Sequence, residues 1–384
     1  MRFLHTADWH IGKTLRGHSR MDEFAAALDE IVKVAIDANA DAVLIGGDVF
    51  DSQTAAPEAD KLVYDFLAHL LPERIACVLI AGNHDNPRKL SALANLLDSL
   101  GIFIRGEPAG PSAGGIVTLA SRDGSETAQV AVLPFVAERH IVDACQLMNP
   151  EYEWYEAYSE RVAGMLRFLA GTFSADTVNV ILAHLLISGA RVGTGERPLH
   201  LGEVYAVNAQ QLPDNAQYIG LGHLHRPQEI LAPSKTYFAG SLIELDFGER
   251  EQDKRVVLVE AKPGRPAHIE SVALSAGRKL RDVSGTVHEL EALAGQVGSD
   301  FLRVRVSVDA PTPGVAERIK EMLPNAIDVR LDYARQETTT DATRLGRLDA
   351  AELFIEFHEH RAGAKPSQEL IALFRSVYEE ASQP

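Results

Sequence analysis

Apolar positions along the first hundred residues fall into two rhythms. Compact apolar runs at Met1–Thr6, Ala42–Ile45, Ile75–Ile80 and Ile102–Arg105 predict buried strands. Between them, Phe24, Leu28, Ile31, Val32 and Ala35 recur at helical spacing within Phe24–Ala38, and Asp60–Leu71 and Ser91–Leu100 read as further helices. This alternation predicts α/β layering. Each of the first three strands stops at a polar cluster: Asp8-Trp9-His10, Gly46-Gly47-Asp48 and Gly82-Asn83-His84-Asp85. In open α/β sheets, ligands bind beyond the strand carboxyl ends, so these loops are where chemistry is expected.

Further strands are predicted at Ile116–Leu119, Gln129–Leu133, Val178–Ala183, Tyr218–Leu221, Lys235–Ala239 and Arg255–Glu260. The stretch Tyr152–Leu169 reads as an amphipathic helix whose aromatic residues pack in the core. Beyond about residue 270 the pattern shifts to strand, helix and strand at Leu302–Val308, Val315–Met322 and Ile327–Leu331. A polar, Thr-rich stretch at Gln336–Arg347 reads as a linker, and helices are predicted at Ala350–His360 and Pro366–Glu380. The expected organisation is therefore a main domain over 1–270, a small α/β domain over 271–335, a linker over 336–349 and a helical pair over 350–384.

Composition narrows the classes. Hydrophobic residues make up 46% and charged residues 24% of the 384 positions, which is ordinary for a globular chain. No apolar run reaches membrane-spanning length; Val180–Ile187 is interrupted by His184. Arg2, His5, Asp8 and His10 break up any secretory apolar core at the start. Two cysteines, Cys77 and Cys145, exclude a disulfide framework and a thiolate zinc site, and fit a reducing cytoplasm. Cys77, within an apolar run, is expected to be a buried thiol. The net charge of −17 argues against a generic nucleic-acid coat protein, while leaving room for metal-binding acids and a local basic patch.

Two more histidine clusters follow predicted strands, Ala183-His184 and Gly222-His223-Leu224-His225. Taken singly, every cluster has an ordinary explanation. Asp after Gly-Gly accepts turn hydrogen bonds, Asn or Asp caps a helix, and one histidine after a strand is usually a satisfied core residue. Taken together, five such clusters at strand ends need partners for their polar groups. Carboxylate oxygen, imidazole nitrogen and amide oxygen suit Mn²⁺, Fe²⁺ or Zn²⁺ better than Ca²⁺. Asp8 and His10, two residues apart, can grip one ion from one side of an extended segment. Ala7–Thr14 also fits a relaxed phosphate-loop pattern, but Asp8 and Trp9 fill the space a nucleotide phosphate would need.

The ordered set resembles the calcineurin-like metallophosphoesterases over about residues 1–250. His5-Thr6-Ala7-Asp8-Trp9-His10-Ile11-Gly12, Gly47-Asp48-Val49-Phe50-Asp51, Gly222-His223-Leu224-His225-Arg226-Pro227-Gln228 and Gly240-Ser241-Leu242-Ile243-Glu244 further resemble the nuclease subunits of bacterial SbcCD complexes. The resemblance implies a two-sheet metallophosphoesterase sandwich flanked by helices, with a small α/β capping domain for DNA recognition and a C-terminal helical pair. It implies two Mn²⁺ ions, with Mg²⁺ or another divalent ion as substitutes. Asp8, His10, Asp48 and His225 would hold one ion, and Asp48, Asn83, His184 and His223 the other. His84 would be catalytic without being a ligand, Asp85 would orient it, and Asp51 stands where some relatives carry histidine. The implied reaction is attack by a metal-activated hydroxide on a phosphodiester, in 3′→5′ exonuclease and single-strand or hairpin endonuclease activity. DNA would be held by Lys13, Arg16, Arg88, Lys89 and Arg226, with Arg20, Arg191 and Arg197 nearby. Leu353, Phe354, Phe357, Leu370 and Phe374 would bind an SMC-like ATPase partner of the SbcC type, which alone would use ATP. A homodimer in the cytoplasm, associated with the nucleoid, is implied as well. Two alternatives compete: a phosphatase or nucleotide phosphodiesterase with the same metals, and a non-catalytic DNA scaffold. Asp85 and Ser52 depart from the Ser/Thr phosphatase pattern, and a scaffold would be marked by a lost ligand, whereas every expected ligand is present.

Overall fold

The computed structural model describes residues 1–137, 158–193, 206–310, 313–333, 350–362 and 365–381. Its chain forms two compact units, Met1–Val306 with Gly314–Leu331, and Ser307–Pro313 with Asp332–Pro384.

The central strands of the first unit are buried on both faces. One six-stranded sheet contains β1 (Arg2–Thr6), β2 (Ala42–Ile45), β3 (Ala76–Ile80), β4 (Ile102–Arg105), β11 (Arg255–Lys262) and β12 (Arg265–Ala273), in the order β12-β11-β1-β2-β3-β4. The second contains β5 (Ile116–Ala120), β6 (Thr127–Leu133), β7 (Val178–His184), β8 (Tyr218–Gly222), β9 (Gln228–Ile230) and β10 (Thr236–Phe238), in the order β5-β6-β7-β8-β10-β9. β1 to β4 run parallel, as do β6, β7 and β8.

The continuous apolar runs follow from this layering. Phe3, Leu44, Val78 and Ile80 of the first sheet meet Val130, Val180 and Leu182 of the second in the interior. The alternate residues Leu4, Val43, Ile45 and Leu79 pack outward on helices α1 (Met21–Asp37) and α2 (Pro57–Leu70), which contribute Phe24, Leu28, Ile31 and Phe66. Cys77 is buried in that outer layer, as its apolar context predicts. On the far side, Ile181 and Leu221 pack on α5 (Tyr158–Ala170) through Met165, Leu166 and Leu169. The rest of the predicted helix, residues 152–157, lies outside the described residues, as does Cys145.

Several boundaries differ from expectation. The helix expected at Ser91–Leu100 is two short ones, α3 (Pro87–Ser91) and α4 (Ala94–Asp98). The first starts early because Asn86 caps it, accepting from the Lys89 amide, and Pro87 opens it. β12 escapes the periodicity argument because this edge strand keeps mostly polar, exposed residues. The third sheet joins β13 (Leu280–Gly285), β14 (Phe301–Val308) and β15 (Ala326–Tyr333), with α6 (Val287–Leu293) and α7 (Val315–Met322) between them. β13 and α6 carry no strong apolar rhythm, although Thr286 and Glu289 form a complete capping box legible as Thr-x-x-Glu. This small sheet meets the sandwich through Leu15, Phe247, Leu280 and Phe301.

In the second unit, α8 (Ala350–Ala362) and α9 (Gln368–Ala381) pack through Phe354 stacked on Phe374, with centroids 4.3 Å apart. Leu353, Phe357, Leu370, Leu373 and Val377 are exposed. The expected linker over 336–349 lies outside the described residues.

Candidate metal centre

The carboxyl ends of β1, β2, β3, β7 and β8 meet at one place, and each delivers polar side chains there. Asp8 and His10 follow β1, Asp48 follows β2, Asn83 and His84 follow β3, His184 ends β7, and His223 and His225 follow β8. Four of these residues hold left-handed backbone conformations rare outside glycine: Asp8 (φ 52°), His10 (φ 49°), Asp48 (φ 51°) and His223 (φ 108°). Each such conformation costs on the order of 1–3 kcal/mol and persists only where surrounding structure enforces it. Here the enforcement is visible. The Asp8, His10 and Ile11 amides donate to the carbonyls of Gly47, Asp48 and Val49, lacing the two loops together.

Side-chain hydrogen bonds then aim the donor atoms. The His223 amide donates to Asp8 Oδ1 and the His84 amide to Asp48 Oδ1, each at 2.8 Å. Both aspartates therefore turn Oδ2 into the site. Asp48 Oδ2 lies 3.6 Å from His10 Nε2 and 3.5 Å from His184 Nε2, between the two rings. His10 neighbours His225, with centroids 4.8 Å apart, and His184 neighbours His223 at 5.2 Å. His184 Nδ1 donates to the Gly46 carbonyl at 2.7 Å, which directs Nε2 inward. Asn83 Oδ1 lies 2.9 Å from both His184 Nε2 and His223 Nδ1. Among the described residues, two groups of ligand atoms are close enough for an ion, His10 with Asp48 and His84, and Asp8 with Asp48 and His184; Asp48 belongs to both.

Protein groups alone do not satisfy this arrangement. Asp8 Oδ2 and both ring nitrogens of His10 are buried without a hydrogen-bond partner. Burial pushes the Asp8 carboxyl up to about 7, against the pull of His184 and His225. Burial also drives His10 down to about 4. Burial would depress His184 too, but the adjacent Asp48 carboxylate outweighs it and holds the ring at about 9. Burial works against the Asp48 carboxylate, yet His184, His10 and His84 hold it well below the usual range. Acceptor atoms converging in a buried pocket are reconciled by protons or by cations, and oxygen with imidazole donors fits divalent ions such as Mn²⁺.

The neighbours of His84 divide the work differently from expectation. His84 Nδ1 donates to the Asp51 carbonyl at 2.8 Å, so that carbonyl orients the ring. Asp85 is buried and accepts from the amides of Gly82, Val49 and Phe50 at 2.9–3.2 Å. It pins the His84 loop to the Asp48 loop and acts on His84 only through the backbone. Burial and Asp48 push its carboxyl up to about 6, opposed by those amides.

The basic residues separate into three kinds. Arg226 and Arg191 are exposed, as is Arg88, which lies 4.0 Å from Glu107. Lys13 pairs with Asp51 (3.2 Å), Arg16 with Asp328 (3.3 Å) and Lys89 with Asp60 (2.6 Å). Arg20 does not belong to an outward patch. It is buried, clamped to Glu23 and the Glu244 carbonyl, and lies against the Phe301 ring. Arg197 lies outside the described residues.

Three contributors escaped the sequence reading. Phe135 stacks on His223 (6.2 Å, 14°) and meets His184 edge-on. Glu249 and Lys254 are buried behind His225, Glu249 Oε1 accepting from its Nδ1 at 2.7 Å. None sits in a cluster at a strand end, and nothing local marks them.

Comparison with known proteins agrees with this geometry. Residues 1–227 match the calcineurin-like phosphoesterase family, and residues 276–362 match a family described as the type 5 capsule protein repressor C-terminal domain. The chain is 32% identical over 383 residues to the SbcD subunit of the SbcCD nuclease from Bacillus subtilis, covering 97% of both chains. It is 33% identical over 287 residues to the SbcD subunit from Rhodobacter capsulatus, covering 70% of this chain and 69% of that one. With its fold, its polar centre and its near full-length match in agreement, the chain belongs to the SbcD nuclease-subunit family of calcineurin-like phosphoesterases, metal-dependent hydrolases of phosphodiester bonds.

Proposed function

We propose that the chain is the manganese-dependent nuclease subunit of an SbcC-type ATPase complex. It acts as a 3′→5′ exonuclease on duplex ends and an endonuclease on single strands and hairpins, in DNA end processing, replication, recombination and repair. The observation that carries this reading is Asp48 Oδ2, set between His10 Nε2 and His184 Nε2 at 3.6 and 3.5 Å. It is the position a carboxylate shared by two ions would take. Asp8, His10, Asp48 and His225 would hold one ion, and Asp48, Asn83, His184 and His223 the other. A bound divalent pair would supply charge neutralisation for the phosphate and acidify a water.

The chain's own groups do the rest. Asp8 and Asp48 hold their Oδ2 atoms inward because their Oδ1 atoms are already engaged by backbone amides. His84 is the general acid. Its Nδ1–H is committed to the Asp51 carbonyl, so Nε2 is the ring nitrogen left for the substrate, and in the imidazolium form it is the atom that gives its proton to the departing alkoxide. Exposed Arg88 and Arg226, with Lys13, Arg16 and Lys89, position the DNA backbone. The region 271–335 caps the substrate, 336–349 links, and 350–384 binds the ATPase through Leu353, Phe357 and Leu370, with Phe354 and Phe374 holding the helix pair together. Exposed Tyr64, Leu93, Leu96 and Leu100 suit a homodimer surface. Among the described residues no helix is long and apolar enough to cross a membrane. The place of work in this reading is the cytoplasm, at the nucleoid.

The test is hydrolysis by the purified chain with Mn²⁺ on duplex DNA, on a hairpin and on a small phosphomonoester. Cleavage of DNA with little phosphomonoester turnover is expected. Preference for the phosphomonoester would make the phosphatase reading correct.

A further inference from the structure

Two buried charges serve no purpose in the mechanism above. Glu249 and Lys254 lie in the segment leading from the Gly240 turn into β11, both almost fully buried. Glu249 Oε2 accepts from Lys254 Nζ (2.7 Å), Ser241 Oγ (3.1 Å) and the Leu245 amide (3.1 Å). Glu249 Oε1 accepts from His225 Nδ1 at 2.7 Å. Lys254 Nζ also lies within hydrogen-bonding distance of the His225 carbonyl (3.2 Å), Ser241 Oγ (2.8 Å) and Gln252 Oε1 (3.1 Å), which share its remaining protons. The Ser241 amide adds a third contact to His225, donating to its carbonyl at 3.1 Å. Gly240 permits this close approach, since a side chain there would put Cβ 2.7 Å from the His225 carbonyl oxygen. His225 is thus gripped at its ring and at its backbone by one ion pair.

Such a pair is a poor stabiliser, because desolvating two charges offsets most of their attraction. Its geometry does something an apolar pair could not. A carboxylate accepting from Nδ1 fixes the ring in the tautomer whose lone pair lies on Nε2, and raises the basicity of that nitrogen. The other ring nitrogens of the centre are backed differently. His184 leans on the neutral Gly46 carbonyl, and His10 Nδ1 has only the Asp51 carboxylate at 3.6 Å, beyond hydrogen-bonding distance.

We propose that Glu249, held in place by Lys254, is a positioning residue that orients His225 and sets the affinity of the ion position shared by His10 and His225, leaving the His184–His223 position unaffected. This rests on the two-ion reading above, and the parent protein tests that reading separately. Manganese titration of the full chain by calorimetry and electron paramagnetic resonance provides the readout. The parent should bind two ions and give the spectrum of an interacting pair. Binding of fewer than two by the parent overturns the two-ion reading itself.

Glu249→Gln should bind one ion as the parent does and a second about 10–100-fold more weakly, with isolated-ion spectra at intermediate loading. Glu249→Gln combined with Lys254→Met removes both charges, so no ammonium is buried alone, and should show the same single weakened ion. That double variant decides the matter if Glu249→Gln does not fold. Parental affinity for both ions in a folded variant, or parallel loss of both, overturns the proposal. Failure of both variants to fold would make the pair a folding element and overturns it too.

Discussion

Gly82→Ala probes how tightly the metal centre depends on contact between adjacent strand ends. Gly82 follows β3 and lies against the loop after β2. A Cβ at this position would sit 2.2 Å from Asp48 Oδ1 and 2.4 Å from the Asp48 amide nitrogen, where real Cβ contacts essentially never fall below 3.0 Å. The obstructing groups are not the loose ends of flexible side chains. Asp48 Oδ1 is fixed by the His84 amide, and the Gly82 amide is fixed by Asp85 Oδ2 at 2.9 Å. The two loops must therefore part by roughly 1 Å, a displacement that costs about 10²-fold when it falls on reacting groups. The overpacking itself costs about 1–3 kcal/mol, which a domain of ordinary stability survives. Gly82→Ala should thus remain folded by circular dichroism, bind Mn²⁺ more weakly in calorimetry, and hydrolyse a chromogenic phosphodiester about 10²-fold more slowly. Gly124→Ala is the control. It has a left-handed φ of 72° with open space around it, so it should lose some stability and no turnover. Parental turnover and metal binding in Gly82→Ala, or an equal loss in Gly124→Ala, would refute the reasoning.

His84→Ala should keep both ions and lose about 10²–10⁴-fold in phosphodiester turnover, the usual worth of a positioned general acid; near-parental hydrolysis would remove it from that role. His5 is fully buried beside the Tyr218 hydroxyl, and burial lowers its ring from 6.5 to about 3. Between those values the unfolded chain binds the proton more tightly, so the contribution is complete above pH 6.5 and is lost as pH falls toward 3. Urea unfolding should show His5→Gln losing about 2 kcal/mol less than the parent between pH 7.5 and pH 5, and equal losses would contradict the assignment. Phe357→Glu with Leu370→Glu should abolish co-purification with an SbcC-type partner while phosphodiester turnover stays parental; retained complex would move the partner surface elsewhere. Reversing Arg88 and Arg226 to Glu should weaken DNA binding and flatten its dependence on salt, as fewer counterions are released; unchanged affinity would place the DNA path on another face.

The sequence by itself determined the layering and which polar clusters stand at the strand ends. Strands such as Val178–His184 are apolar at nearly every position before the terminal histidine because both faces are covered, and that pattern is local and readable. The polar clusters were legible only as a set: each alone has an ordinary explanation, but five at strand ends need partners for their polar groups. What only the tertiary structure decided is how each side chain is backed. Asp85 follows His84 directly, yet it serves the amides of Gly82, Val49 and Phe50, and the ring of His84 is held by the Asp51 carbonyl. Arg20 lies among basic residues in the sequence but is drawn inside by Glu23 and the Glu244 carbonyl. Glu249 reaches His225 from 24 residues away and carries no signature of doing so. Periodicity reports which face of an element is buried, a property of consecutive residues. Hydrogen-bond direction depends on where distant backbone segments cross, and that is fixed only when the two sheets close on one another.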